Sequence, residues 1–88
     1  MINFALCDDN ASILATLKEM LEKIFLKHDY KAKIAFSSTN PEELMKYIDN
    51  NNVDVLFLDI DLNSKFNGIE IAKRIRAHNK SIYIIFIT

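Results

Sequence analysis

Apolar positions along the chain switch between two periods, and the switches divide it into seven elements. Residues 2–7 (Ile-Asn-Phe-Ala-Leu-Cys) form a short apolar run that predicts a strand. Asp8-Asp9-Asn10 follows, and each of the three suits a helix N-cap. Ile13, Leu14, Leu17, Met20, Leu21, Ile24 and Phe25 then recur at three- and four-residue steps, with Lys18, Glu19, Glu22 and Lys23 opposite, which predicts an amphipathic helix. Residues 31–36 alternate, with Ala32, Ile34 and Phe36 on one side, as in a strand near a sheet edge. Ser37-Ser38-Thr39-Asn40 reads as a loop. Asn40-Pro41-Glu42-Glu43 combines a cap, a proline at the first helical position and acids in the first turn. That predicts a helix to about residue 50, with Leu44, Met45 and Ile48 inward and Asn50-Asn51-Asn52 ending it. Residues 53–58 are apolar at five of six positions, as in a strand covered on both faces, and residues 82–87 are of the same kind. Between them Asn67-Gly68 punctuates a loop, and Ile69, Ala72, Ile75 and Arg76 mark a helix ending near His78-Asn79.

Strands alternating with helices, in the order βαβαβαβ, predict an α/β domain with a parallel sheet and right-handed crossovers. Ligand chemistry in such sheets lies outside the carboxyl ends of the strands. Asp8, Asp9, Asp59 and Thr88 each follow or end a strand, so all four belong on that rim. Clustered carboxylates repel and raise one another's pKa unless a cation or a proton offsets the repulsion. Mg²⁺, a hard ion that takes one or two carboxylates and keeps oxygen ligands elsewhere, suits such a rim.

Composition narrows the classes that remain. The 88 residues suffice for one small domain with a limited core. A net charge of −1, with cations spread among acids, leaves no electrostatic footprint for nucleic acid. No apolar run reaches the roughly 18 residues of a membrane span, and Asp8-Asp9 interrupts any signal-peptide core, so a cytoplasmic location is expected. Cys7 is the single cysteine, which excludes an internal disulfide and a thiolate-rich metal site.

Asp8-Asp9 after the first strand, Asp59 after the third and Thr88 at the end of the fourth resemble the CheY-like receiver domains of two-component response regulators in identity and order. The resemblance implies a flavodoxin-like, doubly wound sheet with strand order 2-1-3-4. It further implies that Asp59 is the phosphoacceptor, that Asp8 and Asp9 hold Mg²⁺ with the backbone carbonyl of Asp61 as a further ligand, and that Thr88 is the hydroxyl that senses the phosphoryl group. The chemistry stands on its own: a carboxylate attacks phosphorus once the repulsion between them is screened by a metal. A signalling domain is expected rather than an enzyme, with a sensor histidine kinase as partner. The loop from Asp59 to Gly68 lacks a proline and looks most like receivers of the LytTR, accessory-gene-regulator type. Receivers continue through a fourth helix, a lysine-bearing fifth strand and a fifth helix. Residues 1–88 are therefore expected to be a partial receiver, with DNA reached only through an output domain beyond them. Its fourth strand would be an exposed apolar edge, inviting self-association there or through uncovered helix faces.

Two other readings use the same residues. Leu58-Asp59-Ile60-Asp61 resembles the first motif of haloacid-dehalogenase-type phosphohydrolases, with Asp59 as nucleophile and Asp61 as acid-base, and Phe86-Ile87-Thr88 resembles the second. That motif usually opens the sheet, however, whereas two βα units precede it here. Asp59, Asp61, Asn63 and Glu70 match an EF-hand spacing, but Ser64 replaces the required glycine and a strand precedes the loop. Taken singly, Asp8 and Asp9 read as helix N-caps, and His28 and His78 as partners of helix ends.

Overall fold

The computed structural model describes residues 1–62, 67–78 and 81–87. The elements are β1 (Ile2–Cys7), α1 (Ala11–Lys27), β2 (Ala32–Ser38), α2 (Pro41–Asn50), β3 (Val55–Asp59), α3 (Gly68–His78) and β4 (Tyr83–Ile87). All strand pairs are parallel, and the order across the sheet is β2-β1-β3-β4, the doubly wound arrangement expected. Cys7 lies opposite both Ser38 and Leu58, and Asp59 lies opposite Ile87. The carboxyl ends of the described strands therefore share one rim, immediately before or at the acidic residues.

The two faces of the sheet are covered unequally. Leu44 and Ile48 of α2 and Ile71, Ala72 and Ile75 of α3 pack on Ala5, Cys7, Leu56 and Leu58 to make the main core. On the other face α1 lies over β1 and β2, where Phe25 meets Phe4 at 4.8 Å and Phe4 meets Phe57 at 6.2 Å between ring centroids. Phe25 is the one buried residue of α1. Ile13, Met20 and Ile24, placed on the apolar stripe by their spacing, are largely exposed, because α1 reaches only half of a four-stranded face.

Local departures from the sequence pattern have identifiable causes. The register of β1 with β2 shifts so that Phe4 faces Ile34 and Ala5 faces Phe36, leaving Ala35 as an extra residue. Such a bulge reverses the alternation. Phe36 is thereby carried out of phase with Ala32 and Ile34 and stacks on Tyr47 of α2, with centroids 4.4 Å apart. The same strand runs on through Ser37 and Ser38, which were expected in a loop. In α3 the buried positions are Gly68, Ile71, Ala72 and Ile75, while Ile69 is exposed. Val53 and Ile82 are buried but precede their strands, which begin at Val55 and Tyr83. At these points Asp54 accepts the Asn3 N–H at 2.7 Å, and Arg76 donates to the Ile82 carbonyl. No helix among the described residues is long and apolar enough to cross a membrane.

Candidate functional site

The β1–α1 junction places the first two carboxylates. Asn10, rather than Asp8 or Asp9, caps α1: its side chain accepts the N–H of Ser12 at 2.9 Å and of Ile13 at 3.2 Å. This removes the simplest structural role for the acidic pair, since an N-cap uses one side-chain oxygen. Asp8 turns into the rim, where it is buried and one of its oxygens accepts the Asn10 N–H at 2.8 Å. Asn10 thus orients Asp8 while starting the helix. The sequence offered three adjacent cap-forming residues and no local signal to choose among them.

Asp59, the last residue of β3, is buried, and its Oδ1 accepts the Asp61 N–H at 3.0 Å. Asp8, Asp9 and Asp59 each offer a carboxylate oxygen within 4.8 Å of the others, with Asp9 the exposed member. Burial pushes the Asp59 carboxyl above the usual range. The Asp61 N–H opposes that shift, whereas the charges of Asp8 and Asp9 and a side-chain hydrogen bond with Asp9 reinforce it. Cys7, buried just below, has its thiol pushed up to about 12 by burial and then by the charges of Asp8, Asp59 and Asp9. A thiol held neutral in this way is not a nucleophile.

The donor set fits a hard divalent cation: among the described residues the cluster consists of three carboxylates, and burial together with their mutual repulsion raises the Asp59 carboxyl. The three carboxylates expected to share the rim lie together there. Asp61 is exposed beside it, joined to Asp59 through its N–H. Thr88, the expected phosphoryl-sensing hydroxyl, lies outside the described residues, as do Asn63 and Ser64 of the EF-hand alignment. The strand leading into Asp59 and the helical start at Gly68 leave no helix before that loop, which removes the calcium-hand reading.

A family model described as "Response regulator receiver domain" matches residues 4–88. The chain belongs to the response regulator receiver family. Among curated proteins, this receiver is 29% identical over 84 residues to accessory gene regulator protein A of Staphylococcus aureus (strain N315). It is 26% identical over 83 residues to the protein of that name from Staphylococcus epidermidis. The matches cover 94% and 93% of the receiver and 35% of each relative, so the chain spans about a third of their length. Among solved structures, the MaeR response regulator bound to beryllium trifluoride superposes with a TM-score of 0.85 at 24% identity, over all of this chain and 67% of that one. Response regulator TrrA in complex with the histidine kinase ThkA gives 0.82 at 31% identity, over all of this chain and 69% of that one. TrrA from Thermotoga maritima with Mg²⁺ and beryllium fluoride gives 0.82 at 30%, over 98% and 68%. The kinship with accessory gene regulators expected from the loop after Asp59 is therefore found over most of the receiver.

Proposed function

We propose that this receiver accepts a phosphoryl group on Asp59 from a sensor histidine kinase, with Mg²⁺ held by Asp8, Asp9 and Asp59 and by the backbone carbonyl of Asp61. The reading is carried by one observation: three carboxylates converge at the strand ends although none is needed as a helix cap and two are buried. A bound ion would screen the negative charge of the incoming phosphoryl group. Asp59 then supplies the attacking oxygen, its other oxygen held by the Asp61 N–H. Thr88 is read as the hydroxyl that turns toward the new anion, which makes the domain a switch and not an enzyme. The TrrA structures, one with a kinase and one with Mg²⁺ and beryllium fluoride, support the choice of partner and ion. DNA would be reached through an output domain outside these residues, as the greater length of the Staphylococcus regulators suggests.

Incubation with a small acyl phosphate and Mg²⁺ tests this reading. The expected product is one acid-stable, base-labile phosphoryl group per chain, which does not form when Mg²⁺ is chelated before the donor is added. Many turnovers of a phosphate ester without a labelled chain would instead favour the haloacid-dehalogenase alternative, with Asp59 as nucleophile and Asp61 as acid-base.

A second copy of the chain is proposed as a further partner, because among the described residues β4 pairs with β3 alone and carries no charge, proline or glycine along Tyr83–Ile87. Tyr83, Ile85 and Phe86 are exposed, and beside them an apolar groove of about 360 Å³ runs between α1 and β4, lined by Ile13, Leu17, Met20 and Ile87. Sedimentation equilibrium is expected to show dimers that Ile85→Lys weakens at least about tenfold, a cost of about 1.4 kcal/mol. A wild-type chain that stays monomeric at high concentration would contradict this.

A further inference from the structure

Gly68 is the one glycine of the chain and opens α3. Its φ is not positive, so conformational freedom is not what the position requires. Space is. A Cβ at residue 68 would collide with the carbonyl oxygen of Asp59 and stand 2.8 Å from the Cα of Ile60. Both obstacles are backbone atoms of the β3 end and cannot swing aside as a flexible side chain would.

With no Cβ in the way, the Gly68 N–H reaches the Ile60 carbonyl at 2.9 Å. The Ile60 carbonyl and the Asp61 N–H belong to one planar peptide unit. Its carbonyl end accepts from Gly68, and its N–H end donates to Asp59 Oδ1 at 3.0 Å. The plane is thus held from both sides, and a rotation that releases one hydrogen bond turns the other away. Asn67 secures the arrangement, since its side chain accepts the Glu70 N–H at 2.9 Å and closes the first turn of α3.

We propose that Gly68 is a positioning residue for Asp59: it seats the start of α3 on the backbone of residues 59–60 and fixes the peptide plane whose N–H aims the carboxylate. The importance of that aim rests on the phosphoacceptor reading, whereas the linkage between Gly68 and Asp59 does not. Gly68→Ala is compared by NMR and by Mg²⁺ titration with Ile75→Val. The latter trims a buried side chain of the same helix away from the acidic cluster. In Gly68→Ala the Asp61 amide proton is expected to move upfield as its bond to the carboxylate is lost. Mg²⁺ affinity should fall about 10-fold or more, the range seen for groups that orient metal ligands. Ile75→Val should leave both readouts in place, and equal changes in the two variants overturn the proposal.

If Gly68→Ala does not fold, the linkage is read from its other end. Asp59→Ala removes the acceptor of the Asp61 N–H, and the Gly68 amide is then expected to shift and to exchange its hydrogen faster while the amides of α2 do not. A Gly68 amide that does not respond overturns the proposal. Failure of the phosphoacceptor reading would show differently, as a native chain that takes no phosphoryl group while Asp61 and Gly68 still respond together.

Discussion

Asp59→Asn is expected to abolish phosphoryl acceptance and, at the same time, to stabilise the metal-free chain at neutral pH. The first effect follows, on the proposed reading of Asp59 as phosphoacceptor, from removing its attacking oxygen. The second follows from electrostatics. Burial and then the charges of Asp8 and Asp9 hold the Asp59 carboxyl above its ordinary value, so the folded chain binds that proton more tightly than the unfolded chain. A carboxyl in the unfolded chain titrates near pH 3.9. The stability linked to the Asp59 proton is therefore fully present below that pH and is lost as pH rises from there through the raised folded value. Asparagine carries no such charge, so the variant should lack this part of the decline. On the proposed reading Mg²⁺ is expected to reverse the sign, because it would bind the deprotonated carboxylates and its stabilisation would grow with pH. At 100 times its dissociation constant the ion adds about 2.7 kcal/mol. Urea unfolding across this window, with and without Mg²⁺, checks both slopes. A native chain whose metal-free stability rises through the window as fast as that of Asp59→Asn would contradict the account.

The parts of the fold legible in the sequence are those set by coarse spacing. Runs of apolar residues at β1, β3 and β4, separated by helical periods, dictate parallel strands, and parallel strands put Asp8, Asp9 and Asp59 on one rim whatever the details of the loops. What escaped the sequence depends on contacts between elements. The bulge that turns Phe36 toward Tyr47 arises from pairing β2 to β1, which no period within β2 encodes. Ile71 is buried and Ile69 exposed, a choice made by how α3 packs on the sheet. Both isoleucines satisfy a helical spacing, so the pattern alone could not choose between them.

The acidic site shows the same division. Chain order identified the carboxylates, but not that Asn10 takes the cap and leaves Asp8 to face the rim. Nor did it reveal the peptide plane shared by Gly68 and Asp59, since that contact joins residues nine positions apart. A lone glycine directly after Asn67 is the available signal, and on sequence alone it marks no more than a loop. Helix α1 is the instructive excess: its stripe was legible, yet Ile13, Met20 and Ile24 remain open, because periodicity says which face is apolar and not what covers it.

That unequal cover predicts where truncation hurts. Leu56→Ala should cost about 3–5 kcal/mol, the range for emptying a fully buried leucine site. Leu56 is fully buried at the centre of β3, paired to Ala5 of β1 on one side and Ile84 of β4 on the other. Ala5 is too small to fill the space left behind, and the surrounding Leu44, Leu58 and Ile71 are themselves fully buried and cannot collapse into it without opening gaps elsewhere. At about 0.05–0.15 kcal/mol per residue, a domain of 88 residues has roughly 4–13 kcal/mol in all, so this one change removes a large part of it. Ile13→Ala deletes the same kind of side chain from the open half of the sheet and should change stability by no more than about 0.5–1 kcal/mol. Urea denaturation of the two variants under identical conditions measures the contrast. Equal losses would mean that the α1 side is as well packed as the α2–α3 side, and the account of an unevenly covered sheet would fall.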